Sequence, residues 1–325
     1  MGLHVSRSKV SEVFSAEPSS NPGGGSKTSR GASGNECSIS VVTRVPGYHT
    51  RPHRHDAEQI NYIPDGEIWF FVEDKAYLCR VGDFQRVPRN AVHWAWNRSD
   101  KPATVIETKS PGSGPVGPNV KPRPDRGLFD DEETPRPRTG AGRPDARVPY
   151  DPGKAEQSPP LTSGFYVPAE KLPVVREHQP LAVSGKVEVR GVYGTECSLA
   201  TVVWPAGYHS QPYVHDAEAL IHILEGEVWF FIEDKGFKCQ AGDFQRIPRN
   251  AIHWEWNPSD KPVRACVEYS PPVLELETIW LKGGITPEGW VALFHEEERP
   301  RLYGNAGIYG VTYDGSKTEA RYGLK

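Results

Sequence analysis

The chain lacks any apolar run long enough to span a membrane, and its first residues lack the apolar core of a secretory signal. Cysteine is sparse and scattered: Cys37, Cys79, Cys197, Cys239 and Cys266 form no closely spaced pairs. An odd number without that spacing argues against a disulfide framework or a thiolate zinc site. Buried thiols in a reducing, cytoplasmic setting are the expectation. A dominant charge is also missing, since the net charge is −4 over 325 residues with both signs interspersed. A nucleic acid or an anionic membrane is therefore not an expected partner. Long helical periodicity is absent, which argues against a helical bundle. These absences leave a small molecule as the expected partner, with assembly into a homo-oligomer left open.

What the chain does contain is a domain written twice. Between Phe70–Pro102 and Phe230–Pro262, 23 of 33 positions are identical without a gap, and Glu36-Cys37-Ser38 recurs as Glu196-Cys197-Ser198. So long a period marks a whole domain, not a solenoid unit. Within each copy, segments such as Ile60–Ile63, Glu67–Val72 and Gln85–Val87 are short, mostly β-branched or aromatic, and separated by Gly-Asp and Pro-containing turns. They read as strands, and many short strands with frequent turns predict an all-β sandwich or barrel in each half.

The boundaries follow from composition. Residues 1–110 form a leading barrel and 161–272 a trailing one. Residues 111–160, dense in Pro, Gly, Arg and Asp, read as an extended or disordered charged linker. Residues 273–325 are an extension with no counterpart after the first repeat; its Ile279, Trp280, Trp290, Leu293 and Phe294 suit it to cover a barrel or a partner chain. The Ser- and Gly-rich stretch Ser15–Gly34 reads as a mobile loop.

The polar centre of the repeat carries the chemistry. Residues two apart on a strand share a face, so His53, His55 and Gln59 are in phase, as are Ala57 and Asn61. His93 arrives from a distant strand after the Gly82 turn. Three imidazoles and an amide oxygen converging inside a barrel make a site for one first-row divalent ion. Glu58 is out of phase and faces away, and both repeats keep it, which predicts a structural role. In the trailing copy the corresponding in-phase residues are Tyr213, His215, Ala217, Ala219, Ile221 and Ile223. Only His215 and His253 survive there, so that barrel is expected to be metal-free. Residues shared by both copies (Trp69/Trp229, Arg86/Arg246, Trp94/Trp254, His49/His209) are expected to hold the fold. Those that differ, Arg51 against Gln211 and Asn61 against Ile221, are the candidate substrate contacts. No catalytic acid or base is legible.

Gly47, His53, His55, Gln59, Gly66, then Gly82, Pro88, His93 and Asn97, match by spacing the two-part signature of the cupin superfamily. The chain resembles a bicupin, which implies two double-stranded β-helix (jelly-roll) barrels. The resemblance implies metal ligation by His53, His55, Gln59 and His93, with Gln59 standing where the family usually has Glu. It implies Fe(II) as the ion, with Ni, Mn, Zn or Cu as alternatives, because imidazole suits them all. By family analogy the expected activity is a mononuclear non-heme Fe(II)-type dioxygenase acting on a small chelating oxo, enol or phenolic acid. The neutral Gln59 leans toward an alternative, an O2-independent, metal-dependent isomerase or lyase of a small oxo or sugar acid. A non-enzymatic, small-molecule-binding bicupin is the third reading.

Overall fold

The computed structural model describes residues 3–10, 12–15, 24–110, 127–128, 146–147, 151–172, 175–177, 182–215, 217–272, 292–293, 308–310 and 315–324. Each repeat folds a large sheet against a smaller one. In the leading repeat the large sheet runs through Lys27–Ser33, Ser38–Arg44, Ala103–Ser110, Glu58–Asp65 and Phe84–Val87. The smaller sheet runs through His53–Arg54, His93–Trp96, Glu67–Val72 and Lys75–Arg80. The trailing repeat repeats this order with Val187–Tyr193, Ser198–Trp204, Val263–Ser270, Glu218–Glu225 and Phe244–Ile247. The expected pair of β-barrels is therefore the observed fold.

One expectation is corrected within the leading repeat. Lys27–Ser33, placed in a loop by its Ser and Gly content, is a strand paired along its length with Ser38–Arg44, from Lys27 opposite Arg44 to Ser33 opposite Ser38. Its small residues carry little β signal, and the strand is specified by the ladder of its neighbour. Residues 16–23 of that stretch lie outside the described residues.

The two large sheets pack face to face, and this buries both sides of their central strands. In Glu58–Asp65, residues 58 to 63 are all buried. Alternation sends Ile60 and Tyr62 into a shared core with Ile39, Phe84 and Ile106 and with Leu199, Leu220 and Phe244 of the other repeat. The same alternation turns Gln59 and Asn61 toward the barrel interior. Glu58 faces the other barrel. Its carboxylate pairs with Arg86 at 2.5 Å and accepts the backbone N–H groups of Thr195 at 3.0 Å, Glu196 at 2.6 Å and Cys197 at 3.2 Å. The mirror set holds Glu218 between Arg246 and the N–H groups of Asn35, Glu36 and Cys37. A Cβ at Gly194 would meet Glu58 at 2.3 Å and one at Gly34 would meet Glu218 at 2.4 Å, so the repeated Gly-x-Glu-Cys-Ser turn is a cradle for the opposite barrel's carboxylate. Breaking such a buried pair by removing one partner costs about 3–5 kcal/mol. Ser110 and Ser270 touch through their hydroxyls at 2.6 Å. All five cysteines are buried and free, and burial raises their thiol pKa values.

The segment that precedes each barrel ties it to the other. His4–Val5 pairs with Phe244–Ile247 of the trailing barrel, and Asp243 accepts Arg7 N–H at 2.8 Å and lies 3.0 Å from His4 Nε2. Tyr166–Val167 does the same on Phe84–Val87 of the leading barrel, with Asp83 accepting the Tyr166 hydroxyl at 2.7 Å and Ala169 N–H at 2.9 Å.

The extension after the trailing barrel does have a counterpart, and it is the linker. Gly127–Leu128 runs parallel to Ala32–Ser33 as Ala292–Leu293 runs parallel to Val192–Tyr193. Ala146–Arg147 lies antiparallel on His53–Arg54 as Ile308–Gly310 lies on Tyr213–His215. The helix Gly153–Gln157 brings Glu156 to Trp94 Nε1 at 3.0 Å and His49 at 2.9 Å; Ser316–Arg321 brings Glu319 to Trp254 Nε1 and His209, each at 2.9 Å. The signal is present in the sequence as Val148-x-Tyr150-Asp151-x-x-Lys154-x-Glu156 against Val311-x-Tyr313-Asp314-x-x-Lys317-x-Glu319. Residues 111–126, 129–145 and 148–150, and with them most of the expected linker, lie outside the described residues, as do Ile279, Trp280, Trp290 and Phe294.

One buried group breaks the symmetry. Glu268 is fully buried beside Glu218, and neither of its oxygens has a hydrogen-bond partner among the described residues. Burial pushes its carboxyl well above the usual range, Glu218 adds to this, and the Cys37 thiol offsets it only in part. Its counterpart Thr108 instead donates to the Ile60 carbonyl at 3.0 Å. A carboxyl raised by folding is protonated in the native state, so its contribution is lost as pH rises above the unfolded value. Glu268→Thr is expected to stabilise the protein at neutral pH by about 1–3 kcal/mol. In denaturant titrations the gain should shrink as pH falls toward the ordinary carboxylate range.

Candidate metal centre

The site is assembled where the two sheets of the leading barrel meet. His93 opens the strand His93–Trp96 directly opposite His53. Gln59 lies on the central strand between Val87 and Lys109. The continuous strand expected from His53 to Asn61 is broken: His53–Arg54 ends, a turn carries His55, and Glu58–Asp65 begins anew. The four side chains still meet. Ring centroids lie 4.3 Å apart for His53 and His93 and 4.6 Å for His55 and His93. His55 Nε2 is 3.0 Å from Gln59 Oε1.

The protons of this cluster follow from its anchors. Nδ1 of His53, His55 and His93 lies 2.8, 3.0 and 3.0 Å from the carbonyls of Arg51, Ala57 and Ala91. A carbonyl only accepts, so each Nδ1 carries a hydrogen, and in the neutral ring this leaves Nε2 as a lone pair, the tautomer a metal requires. Burial, with His53 and His55 adding to it, holds the His93 pKa well below the usual imidazole value, so the ring stays neutral. The amides are oriented by the same logic. Gln85 Nε2 donates to the Arg86 carbonyl at 2.5 Å, Asn61 Nδ2 to Gln85 Oε1 at 2.6 Å, and Gln59 Nε2 to Asn61 Oδ1 at 2.7 Å. This relay leaves Gln59 Oε1 3.0 Å from Nε2 of His55, so that a neutral His55 brings two acceptors into a buried contact.

For a neutral ring such a contact is unfavourable by itself, and it is relieved by a proton on Nε2 or by a metal ion between the lone pairs. No set of three or more His, Cys, Asp or Glu among the described residues is arranged to hold an ion as it stands, so the four ligands would have to draw in around one. The donor chemistry fits a divalent ion: four neutral ligands, each with its second polar group already anchored.

Around the cluster is a cavity of about 300 Å³, lined by His53, Gln59 and His93, by the apolar Phe70 and Ala95, and by Lys27, Arg44, Arg51, Glu107 and Lys109. Arg51 is on its wall and exposed. Asn61 does not line it; it is buried behind Gln59, where it aims the amide. Arg44 forms a close ion pair with Glu107. Burial alone would raise the Glu107 carboxyl, but Arg44, Lys109 and Lys27 outweigh it and hold the pKa at about 2. Lys27, Arg44, Glu107 and Lys109 are not among the residues singled out from sequence, although a signal exists. Their counterparts 160 positions on are Val187, Trp204, Val267 and Tyr269, the same polar-to-apolar contrast that marks Arg51 and Asn61.

The trailing barrel keeps His215 and His253, with Nδ1 at 2.8 and 2.9 Å from the carbonyls of Ala217 and Ala251. Ala219 removes the amide, and the Tyr213 hydroxyl donates to Glu255 at 2.6 Å, which retains the phenolic proton. His49 and His209 stack on Trp96 and Trp256 at the helix contacts described above, away from either cluster.

The family model for the Cupin domain matches the chain twice, at residues 40–109 and 200–269. No curated protein matches it. Among solved structures, AerE from Microcystis aeruginosa aligns with a TM-score of 0.56 at 14% identity, over 83% of this chain and 99% of that one. The Lactobacillus farciminis oxalate decarboxylase formate complex aligns with a TM-score of 0.60 at 15% identity, over 89% and 95%. A deletion mutant of Bacillus subtilis oxalate decarboxylase OxdC aligns with a TM-score of 0.59 at 11% identity, over 99% and 84%. At these identities the likeness is one of fold.

The relay predicts a consequence away from the ligands themselves. Asn61→Ile, the residue of the trailing barrel, frees Gln59 to rotate and should weaken divalent-ion affinity about 10- to 100-fold. Competition with a metallochromic chelator measures this, and the thermal stability of the metal-free protein controls for misfolding.

Proposed function

Taking as premise that the chain is a bicupin, two cupin domains in one polypeptide, we propose that it is a metal-dependent enzyme of the leading barrel. Its reaction is carbon–carbon bond cleavage without O2 in a small oxo acid whose leaving carboxylate is β to the oxo group, so that the bonding pair passes to the oxo oxygen as an enolate, carbon dioxide leaves, and a proton from solvent completes the product. The convergence of three imidazoles anchored through Nδ1 on the oriented amide oxygen of Gln59, 3.0 Å from His55 Nε2, carries the reading, because it gathers four donor atoms in a buried site. His53, His55, Gln59 and His93 would hold one divalent ion. That ion would supply Lewis-acid stabilisation of the negative charge developing on the substrate's oxo oxygen, undiminished by any carboxylate ligand.

The chain's own residues do the rest. Lys27, Arg44, Arg51 and Lys109 make the cavity attractive to an anion, and the ionised Glu107 keeps the Arg44 side chain in place. Phe70 and Ala95 give the cavity an apolar wall that limits water beside the reacting carbon. A cationic wall and four uncharged ligands favour heterolytic chemistry on an anion over the oxidative chemistry expected first from the sequence. The likeness in fold to oxalate decarboxylases leans the same way. An isomerase would use the same charge stabilisation and differs only in moving a proton where the lyase releases carbon dioxide.

Purified protein should carry roughly one divalent ion per chain, by elemental analysis. His93→Ala should lose most of it and His253→Ala should keep it. Under anaerobic conditions the loaded protein should convert small oxo acids with release of carbon dioxide. Turnover that stops without O2 and consumes it stoichiometrically would return the assignment to a dioxygenase.

A further inference from the structure

Arg44 is an unusual residue to find in a barrel interior. It is 5% exposed, its Nη2 is taken by Glu107, its guanidinium lies 5.6 Å from the centre of the Tyr48 ring, and its Nε and Nη1 are buried with no hydrogen-bond partner among the described residues. A guanidinium left this way is destabilising unless a ligand completes it. Lys27 lies directly opposite Arg44 on the neighbouring strand, and Lys109 lies directly opposite Gln59. The cavity wall thus runs from the metal ligands, past Lys109 and Glu107, to Arg44 and Lys27, with four cationic side chains against one carboxylate.

The fold does not require these charges. In the trailing barrel the same positions are Val187, Trp204, Val267 and Tyr269, and all four are packed into that barrel's apolar core. The polar set of the leading barrel is therefore there for an occupant. We infer that this occupant is a small dicarboxylate: an oxo acid whose head sits at the candidate metal ligands and whose second carboxylate is received by Arg44, assisted by Lys27 and Lys109. The inference rests on the proposed metal-dependent reading for the head of the substrate, while the Arg44 end stands on the geometry of the cavity. It explains why Arg44 is charged, buried and incompletely paired. A monocarboxylate of the same length would leave Nε and Nη1 as they are. A carboxylate accepting from a guanidinium makes a charge-assisted hydrogen bond, among the stronger polar contacts available.

The test compares acids that differ by one carboxylate. Binding is measured by calorimetry with succinate and butyrate on metal-free protein, and with α-ketoglutarate and α-ketovalerate on the metal-loaded protein. Wild type is expected to prefer the diacid about tenfold or more in both forms. Arg44→Met should abolish the preference. It leaves Glu107 half-buried without its ion-pair partner and so risks misfolding; the double variant Arg44→Met/Glu107→Leu removes the pair together, as in the trailing barrel, and should fold yet show no preference. Equal binding of diacid and monoacid by wild type, or an unchanged preference in the folded double variant, overturns the inference. Diacid preference in the metal-free protein that is lost with Arg44, in a chain that fails to take up metal, would defeat the proposed reaction and leave the anion anchor intact. Normal metal uptake without diacid preference would do the reverse.

Discussion

The structure depends on a strand that is buried on both faces. Glu58–Asp65 lies in the middle of the leading barrel's large sheet, with the barrel interior on one side and the other repeat on the other. A strand with one wet face spends half of its residues on solvation; this one has none to spare. Its odd-numbered positions supply Gln59 and Asn61 to the interior. Its even-numbered positions supply Ile60 and Tyr62 to the inter-barrel core and Glu58 to the cradle at residues 194–198. Neither function can shift register without breaking the other. The same strand in the trailing repeat keeps the interface half of this arrangement, Glu218 and Leu220, and has lost the interior half to Ala219 and Ile221.

That division explains the pattern of the two repeats. The interface is pseudo-symmetric, so both copies must keep its residues: the Gly-x-Glu-Cys-Ser turn, the Glu–Arg pair and the Asp that receives a strand from elsewhere in the chain. The interiors are independent. One retains three imidazoles, an oriented amide and a charged cavity; the other has filled with aromatic and aliphatic side chains. The trailing barrel has a structural role in any case, because the leading barrel's central strand needs a second sheet to lie against.

Within the working barrel, electrostatics are arranged around what is to be bound. Backbone carbonyls assign the histidine tautomers. A relay of amides that starts at the Arg86 carbonyl ends at Gln59 and fixes which of its atoms faces the cluster. Farther along the same wall, Glu107 is held as a carboxylate by three cations yet balances only part of their charge. The ligand set is neutral and the wall is positive, so the negative charge that completes the site has to come from the occupant.

Much of this is legible in the primary structure. The repeat, the strand-rich halves and the meeting of His53, His55, Gln59 and His93 follow from identity, alternation and spacing, which are properties of short segments. The outward role of Glu58 follows from phase. Other features belong to the tertiary structure alone. The break at residues 55–57, which a phase argument runs straight through, is closed by a hydrogen bond from His55 to the Ala57 carbonyl. Asn61 turns out to aim Gln59 from behind the cavity, because a buried amide takes its role from its neighbours' atoms. The kinship of the linker with the C-terminal extension rests on a few docking residues amid divergent sequence. Arg44 comes from one strand and Glu107 and Lys109 from another some sixty residues on, and only their juxtaposition in one cavity turns three ordinary charged residues into a site. Sequence determines which face of each strand is polar; what those faces confront is decided by long-range packing, since a charge acquires its energy from its surroundings.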